Sequence, residues 1–367
     1  MNADSTNYET LAVKKVPRQP KRKTPHKRQK PYLYLLILGI VSIIAVIGVA
    51  SAISSSRKYQ KKLDEITEAG IATPAYSPVV LEQMMNAAVE TGQKNILDNI
   101  QTSFENGSST NAFLKATFPN NIITYDDNHY VFLPILDSVP RHTLDVNKFQ
   151  KDANGFMAYA DNGITTHKGI DVSRYQGTID WDKVKNSGVE FAFIRLGYRS
   201  YGTGVIKDDD AFAANASGAL KTGMHVGVYF FSQAINTQEA IEEADYVLEA
   251  IKPYNIDYPI VIDVEEIPDD TYRQENMTRE ELTATVVAFC ERIKAAGRTP
   301  IVYGNIKGLA NNLDLTQLTA YEKWFADYNP TPYYPYEMSI WQYSDSGKID
   351  GIEGNVDLNI SFKELNR

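Results

Sequence analysis

Tyr258-Pro259-Ile260-Val261-Ile262-Asp263-Val264-Glu265-Glu266 is the stretch from which the fold of this 367-residue chain is read. Side chains alternate faces along a strand. Ile260, Ile262 and Val264 then point to a helical layer, and Val261, Asp263 and Glu265 point into a barrel. Packing does not call for two carboxylates there, because burying one costs several kcal/mol unless it is paired or its pKa shifts. An Asp-x-Glu triplet alone says little in so acidic a chain. Its position at the end of an apolar strand carries the weight.

Working outward from that strand, segments 169–173, 189–196, 225–231, 259–265, 300–304, 323–328, 339–343 and 356–358 read as strands. Segments 181–187, 209–222, 237–251 and 278–296 read as helices between the first five. Strands alternating with helices imply parallel pairing with crossovers. The expected fold is therefore α/β, an irregular TIM-like β/α barrel over residues 168–367. The last links are short or carry Pro330, Pro332 and Pro335, which leaves no room for long helices. The Asp208-Asp209-Asp210 run reads as a helix N-cap rather than a calcium loop.

TIM-type barrels place their chemistry at the C-terminal ends of the strands. Asp263 and Glu265 fall there. Asp171 ends the first strand and Asp357 lies on the last, which neighbours the first once the barrel closes. Taken singly, Asp171 and Asp357 read equally well as turn carboxylates bonding local backbone. Four acids crowded together raise at least one pKa, which yields the protonated carboxyl a general acid needs. The same rim is aromatic, with Tyr198, Tyr201, Tyr229, Phe231, Tyr303, Tyr328, Trp341 and Tyr343 at or near strand ends. Such rings stack on sugar faces, although half of them read as core. Tyr229, Tyr303, Tyr328, Trp341, Gln342 and Arg195 are the candidate substrate-binding residues. Arg195 has an alternative as the structural partner of a barrel carboxylate.

Upstream of the barrel the composition changes. Residues 1–31 hold nine Lys/Arg against Asp4 and Glu9, a net of +7; the whole chain carries −9, leaving −16 for residues 32–367. Residues 32–53 are uncharged and long enough to span a hydrocarbon core of ~30 Å. The flanking charge bias puts residues 1–31 in the cytoplasm and the barrel outside a cell membrane crossed once. A signal peptide cleaved at Ala50-Ser51-Ala52 is the rival reading, disfavoured by the length of the apolar run. A stalk (54–80) and a small α+β spacer (81–165) complete the expected organisation. The body has no Lys/Arg cluster interleaved with aromatics, so no nucleic-acid partner is expected. The one cysteine, Cys290, sits beside a helical apolar stripe and reads as a small buried hydrophobe. The five histidines form no zinc pattern, and no metal or other cofactor is expected.

Gly169-Ile170-Asp171-Val172-Ser173-Arg174-Tyr175-Gln176-Gly177 with Ile179-Asp180-Trp181 resembles the opening of family 25 glycoside hydrolases, the Chalaropsis-type lysozymes. Ile194-Arg195-Leu196-Gly197-Tyr198, Gly227-Val228-Tyr229-Phe230-Phe231, Asp263-Val264-Glu265, Trp341-Gln342-Tyr343 and Val356-Asp357 continue the resemblance in order, over about residues 168–367. It implies cleavage of the β-1,4 bond between N-acetylmuramic acid and N-acetylglucosamine in the peptidoglycan glycan strand. Glu265 would be the general acid and Asp263 would stabilise the cationic transition state or position the substrate's acetamido group. Asp171 and Asp357 would complete the acidic floor. Two rival classes are a non-catalytic wall-binding module and a structural spacer of an envelope complex. Intact acids and an aromatic rim favour the enzyme.

Overall fold

The computed structural model describes residues 57–58, 60–61, 78–126, 129–152, 155–161, 163–267 and 272–365. The basic segment 1–31, the apolar segment 32–53 with its Ala50-Ser51-Ala52 site, and nearly all of 54–80 lie outside the described residues. Among the described residues no helix is long and apolar enough to cross a membrane. The chain divides into two compact units at Ser109/Thr110. In the first, helix α1 (Pro78–Glu105) stops at Gly107, whose φ of 76° is one that glycine adopts without strain.

The second unit is built on eight strands closed into a barrel: β5 (His167–Val172), β6 (Phe191–Arg199), β8 (His225–Phe231), β9 (Ile260–Asp263), β10 (Pro300–Asn305), β11 (Glu322–Ala326), β12 (Ile340–Gly347) and β13 (Val356–Ser361). Every strand expected from the sequence is present. The first seven pair in parallel, whereas β13 runs antiparallel to both β12 and β5. Residues 348–355 link β12 to β13, too few for a helical crossover, so the chain can only turn back. A short strand, β7 (Ile206–Asp208), forms a hairpin on the far end of β6. Gly197 permits it, since a Cβ there would lie 2.5 Å from the Lys207 carbonyl oxygen.

Alternation on β9 is as the pattern predicts. Ile260, Ile262 and Val264 join the layer under the helices, while Val261 packs inside the barrel with Phe191, Phe193, Ile301, Trp324 and Ile340. Two glycines make that interior possible: a Cβ on Gly169 would lie 2.1 Å from the Phe191 ring, and one on Gly227 2.3 Å from Phe193. Outside, the helix Arg279–Ala295 starts with a capping box between Thr278 and Glu281, and buries Val286, Phe289, Cys290 and Ile293. Burial pushes the Cys290 thiol up to about 12, as befits an inert core residue. Between β10 and β13 there is no α-helix. A π-helical turn (Lys307–Asn312) and the proline-bearing link after β11 replace it.

Residues 110–161 belong to the same unit as the barrel. Their hairpin of β1 (Asn121–Asp126) and β2 (His129–Pro134) buries Ile122 and Ile123, and β3 (Phe149–Lys151) pairs antiparallel with β4 (Met157–Tyr159). Tyrosines of the barrel accept from the backbone of this segment: Ile123 N donates to Tyr333 Oη at 2.9 Å, Leu136 N to Tyr336 Oη at 2.8 Å and Met157 N to Tyr343 Oη at 3.1 Å.

Candidate active site

Register brings the acids together. Asp171 pairs directly with Asp357 across β5 and β13, and Asp263 ends β9 beside Phe231 and Tyr303. Asp171 and Asp263 are 5% and 6% exposed, whereas Glu265 and Asp357 are half-buried. All four sit at the C-terminal end of the parallel strands.

A fixed hydrogen-bond ladder holds Asp171. Its Oδ2 accepts from Gln342 Nε2 and from Asn359 Nδ2, each at 2.8 Å. The Trp324 indole N–H donates to Asn359 Oδ1 at 2.8 Å. An indole can only donate, so it turns the Asn359 oxygen toward itself and the amide N–H toward Asp171. Tyr303 and Tyr328 hydroxyls donate to Gln342 Oε1 at 2.9 and 3.0 Å, which orients that amide in the same way. On its free side Asp171 hydrogen-bonds Asp357.

Crowding and burial push all four carboxyls upward. Burial raises Asp171 although the two amides oppose it. Asp357 is pushed up to about 8 by burial and then by the charge of Asp171. Asp263 rises well above the carboxylate range through burial, then Glu265 and Asp171, with Arg195 opposing. Glu265 is pushed up to about 7 by burial and then by Asp171. Asp263 Oδ1 is buried with no hydrogen-bond partner among the described residues, an unsatisfied acceptor. A carboxyl still protonated near neutrality beside such an acceptor can donate a proton to a leaving group and hold a polar N–H next to it.

The other sequence candidates separate. Tyr229 is half-buried on the inner face, edge-on to Trp324, with its hydroxyl kept protonated by burial and the nearby acids. Tyr303 and Gln342 are buried supports of Asp171 rather than exposed contacts, and Tyr328 is exposed on the rim. Trp341 is a correction. It is fully buried on the opposite face of β12 from Gln342, donates to Asp327 O at 2.7 Å and packs edge-on to Phe149. Alternation puts residues 341 and 342 on opposite sides, so both cannot face the cleft. Arg195 takes the structural role: its Nε meets Asp209 Oδ2 at 2.7 Å, and its guanidinium lies over Tyr175 and Tyr198. The acidic run is corrected by the same contact. Asp208 ends β7, and the helix Phe212–Lys221 starts after Ala211 with no side-chain cap.

Asn359 and Tyr175 were not anticipated. Asn359 stands two residues after Asp357, so alternation alone places it on the same face. Tyr175, 74% exposed, lies in a short helical turn whose periodicity carries no signal. Beside Glu265 opens a cavity of about 1160 Å³ that also takes in Glu266, Lys307 and Asn312.

A family model described as Glycosyl hydrolases family 25 matches residues 170–352. The chain is 31% identical over 204 residues to the uncharacterized protein YegX of Escherichia coli strain K12, covering 53% of this chain and 69% of that one. It is 28% identical over 202 residues to Lysozyme M1 of Streptomyces globisporus, covering 52% and 66%. Among solved structures, the modular autolysin LytC from Streptococcus pneumoniae in complex with synthetic peptidoglycan ligand aligns at 25% identity and a TM-score of 0.48, over 66% of this chain and 56% of that one.

Proposed function

The chain belongs to glycosyl hydrolases family 25 and is a glycoside hydrolase; from that premise we propose that it is a peptidoglycan muramidase cutting the β-1,4 bond between N-acetylmuramic acid and N-acetylglucosamine. The observation that carries this reading is the cluster of four acids at one end of the barrel, in which the Glu265 carboxyl is pushed up to about 7 close to the buried, unsatisfied carboxyl of Asp263. Glu265 protonates the glycosidic oxygen as the C1–O bond breaks. The carbonyl oxygen of the substrate's own 2-acetamido group closes on C1 from the other face, and the Asp263 carboxyl accepts the acetamido N–H. Water then opens the cyclic intermediate, with Glu265 taking the proton back, and the configuration at C1 is retained.

Asp263 closes β9 and Glu265 follows two residues beyond it, so both carboxyls come from one stretch of chain, near enough for Glu265 to push Asp263 upward. That arrangement suits an acid with a neighbouring helper rather than two catalysts on opposite faces of a sugar. The test is digestion of purified peptidoglycan, with NMR of the first-formed reducing end. The β anomer is expected, and a glycan lacking the N-acetyl group at the cleaved sugar should be a very poor substrate. Inversion would overturn the mechanism, and absence of new reducing ends would overturn the activity. Residues 32–53 are proposed to anchor the enzyme in the cell membrane with the barrel outside. Protease added to intact cells should then remove the barrel and spare residues 1–31.

A further inference from the structure

The family match begins at residue 170, yet the cavity that opens beside Glu265 is lined in part by a side chain from far upstream. Asp126, the last residue of β1, reaches into the 1160 Å³ cavity. Its Oδ1 meets the Lys307 ammonium at 2.6 Å, and its Oδ2 accepts from Asn311 Nδ2 at 3.3 Å. The same ammonium meets Glu266 Oε2 at 2.6 Å, and Glu266 Oε1 accepts from Asn312 Nδ2 at 2.9 Å. Asp126 is thus joined through Lys307 to Glu266, the residue bonded directly to Glu265. Lys307, Asn311 and Asn312 all come from the one π-helical turn, an irregularity often found at functional sites.

The hairpin does not depend on Asp126 for its place. Ile122 and Ile123 are buried, and Tyr333 takes the backbone of Ile123 and donates to Asn121 O at 3.3 Å. Asp126 is therefore surplus to docking, and what it orders is the lining of the cavity. That lining is rich in side-chain amides, groups that both donate and accept and so complement amides on a ligand. The cavity also exceeds the roughly 300–1,000 Å³ that encloses a whole small ligand, so it has room beyond the reacting ring.

We propose that the β1–β2 hairpin forms a working wall of the substrate cleft and that Asp126 is a specificity-determining residue, holding Lys307 and Asn311 for amide groups that flank the scissile bond. This rests on the peptidoglycan reading above. Peptidoglycan offers such amides from two sources, the acetamido groups of the sugars and the stem peptide.

The test compares the full-length chain with Asp126→Asn and Asp126→Ala on two soluble fragments of equal sugar count, one bare and one bearing stem peptides. Loss of a half-exposed charge contact should raise KM about 2–5-fold while kcat stays essentially unchanged. A rise on both fragments assigns the contact to acetamido groups, and a rise on the peptide-bearing fragment alone assigns it to the stem. An unchanged KM on both overturns the proposal, whatever happens to thermal stability. Calorimetric titration of Glu265→Gln with and without Asp126→Asn, using the same fragments, reads the contact without turnover, and equal Kd values would again overturn it. Failure of the unsubstituted chain to cleave either fragment would instead count against the muramidase reading.

Discussion

Glu265→Gln tests the general-acid assignment most directly, and the structure sets the size of the effect. The Glu265 carboxyl lies at about 7 instead of its ordinary 4.5 because it is half-buried beside Asp171. That gap is worth about 3 kcal/mol in favour of the protonated form. At pH 6 about nine molecules in ten then carry the proton, against about three in a hundred for an unshifted Glu. A general acid acts in its protonated form, so kcat/KM should fall as pH rises through about 7, giving an alkaline limb. Glutamine has the shape of the neutral acid but no proton to give. The substitution should cut turnover by roughly 10²–10⁴ and erase the limb from whatever activity remains. Asp171→Asn removes a charge that holds the Glu265 pKa up, so in that variant the limb should move to lower pH. The assay is initial rates of reducing-end release from soluble peptidoglycan fragments between pH 4 and 9, with circular dichroism to confirm folding. Near-normal turnover in Glu265→Gln, or an alkaline limb that survives the substitution, would refute the reasoning.

The same shift is a statement about stability, since the folded pKa of Glu265 is raised above its unfolded value. Its favourable contribution is complete below about pH 4.5 and is lost as pH rises through about 7, so Glu265→Gln should be stabilised relative to the native chain at pH 9 and not at pH 4, by up to about 3 kcal/mol. Equal thermal unfolding differences at the two pH values would contradict this. Gly169→Ala should cost about 1–3 kcal/mol, because its Cβ would overlap the Phe191 ring at the barrel floor. Trimming the ring with Phe191→Leu should recover part of that loss in a double-mutant cycle read by denaturant midpoints, and strict additivity would argue against the steric cause.

Much of the strand that carries Asp263 is legible in the sequence. Apolar alternation from Ile260 to Val264 identifies the inner and outer faces, and the same rule applied to Asp357 and Asn359 would have found the second amide donor to Asp171. The same alternation separates Trp341 from its neighbour Gln342, and an aromatic near a strand end is not by itself a mark of the cleft. Asp209 illustrates a different limit. Three consecutive acids before a helix look like a cap, but the partner that claims Asp209 is Arg195, which arrives from the middle of another strand. Nothing near either residue in sequence announces that pairing.

Strand identity, side-chain face and the position of the acids at strand ends follow from local backbone geometry, whose period of two is written in consecutive residues. The direction of β13 was decided by the structure, where β12 runs on to Gly347 and leaves too few residues before Val356 to cross over. Which polar groups meet was decided only when the sheet closed. Asp171 meets Asp357, Gln342 and Asn359 across strands that lie some 170 to 190 positions along the chain. Its pKa and that of Glu265 depend on how much water and charge surround them, and both are properties of the assembled barrel. Asp126 reaches the cavity beside Glu265 for the same reason: burial of Ile122 and Ile123 and the hydrogen bonds between the hairpin and Tyr333, not sequence proximity, hold it there.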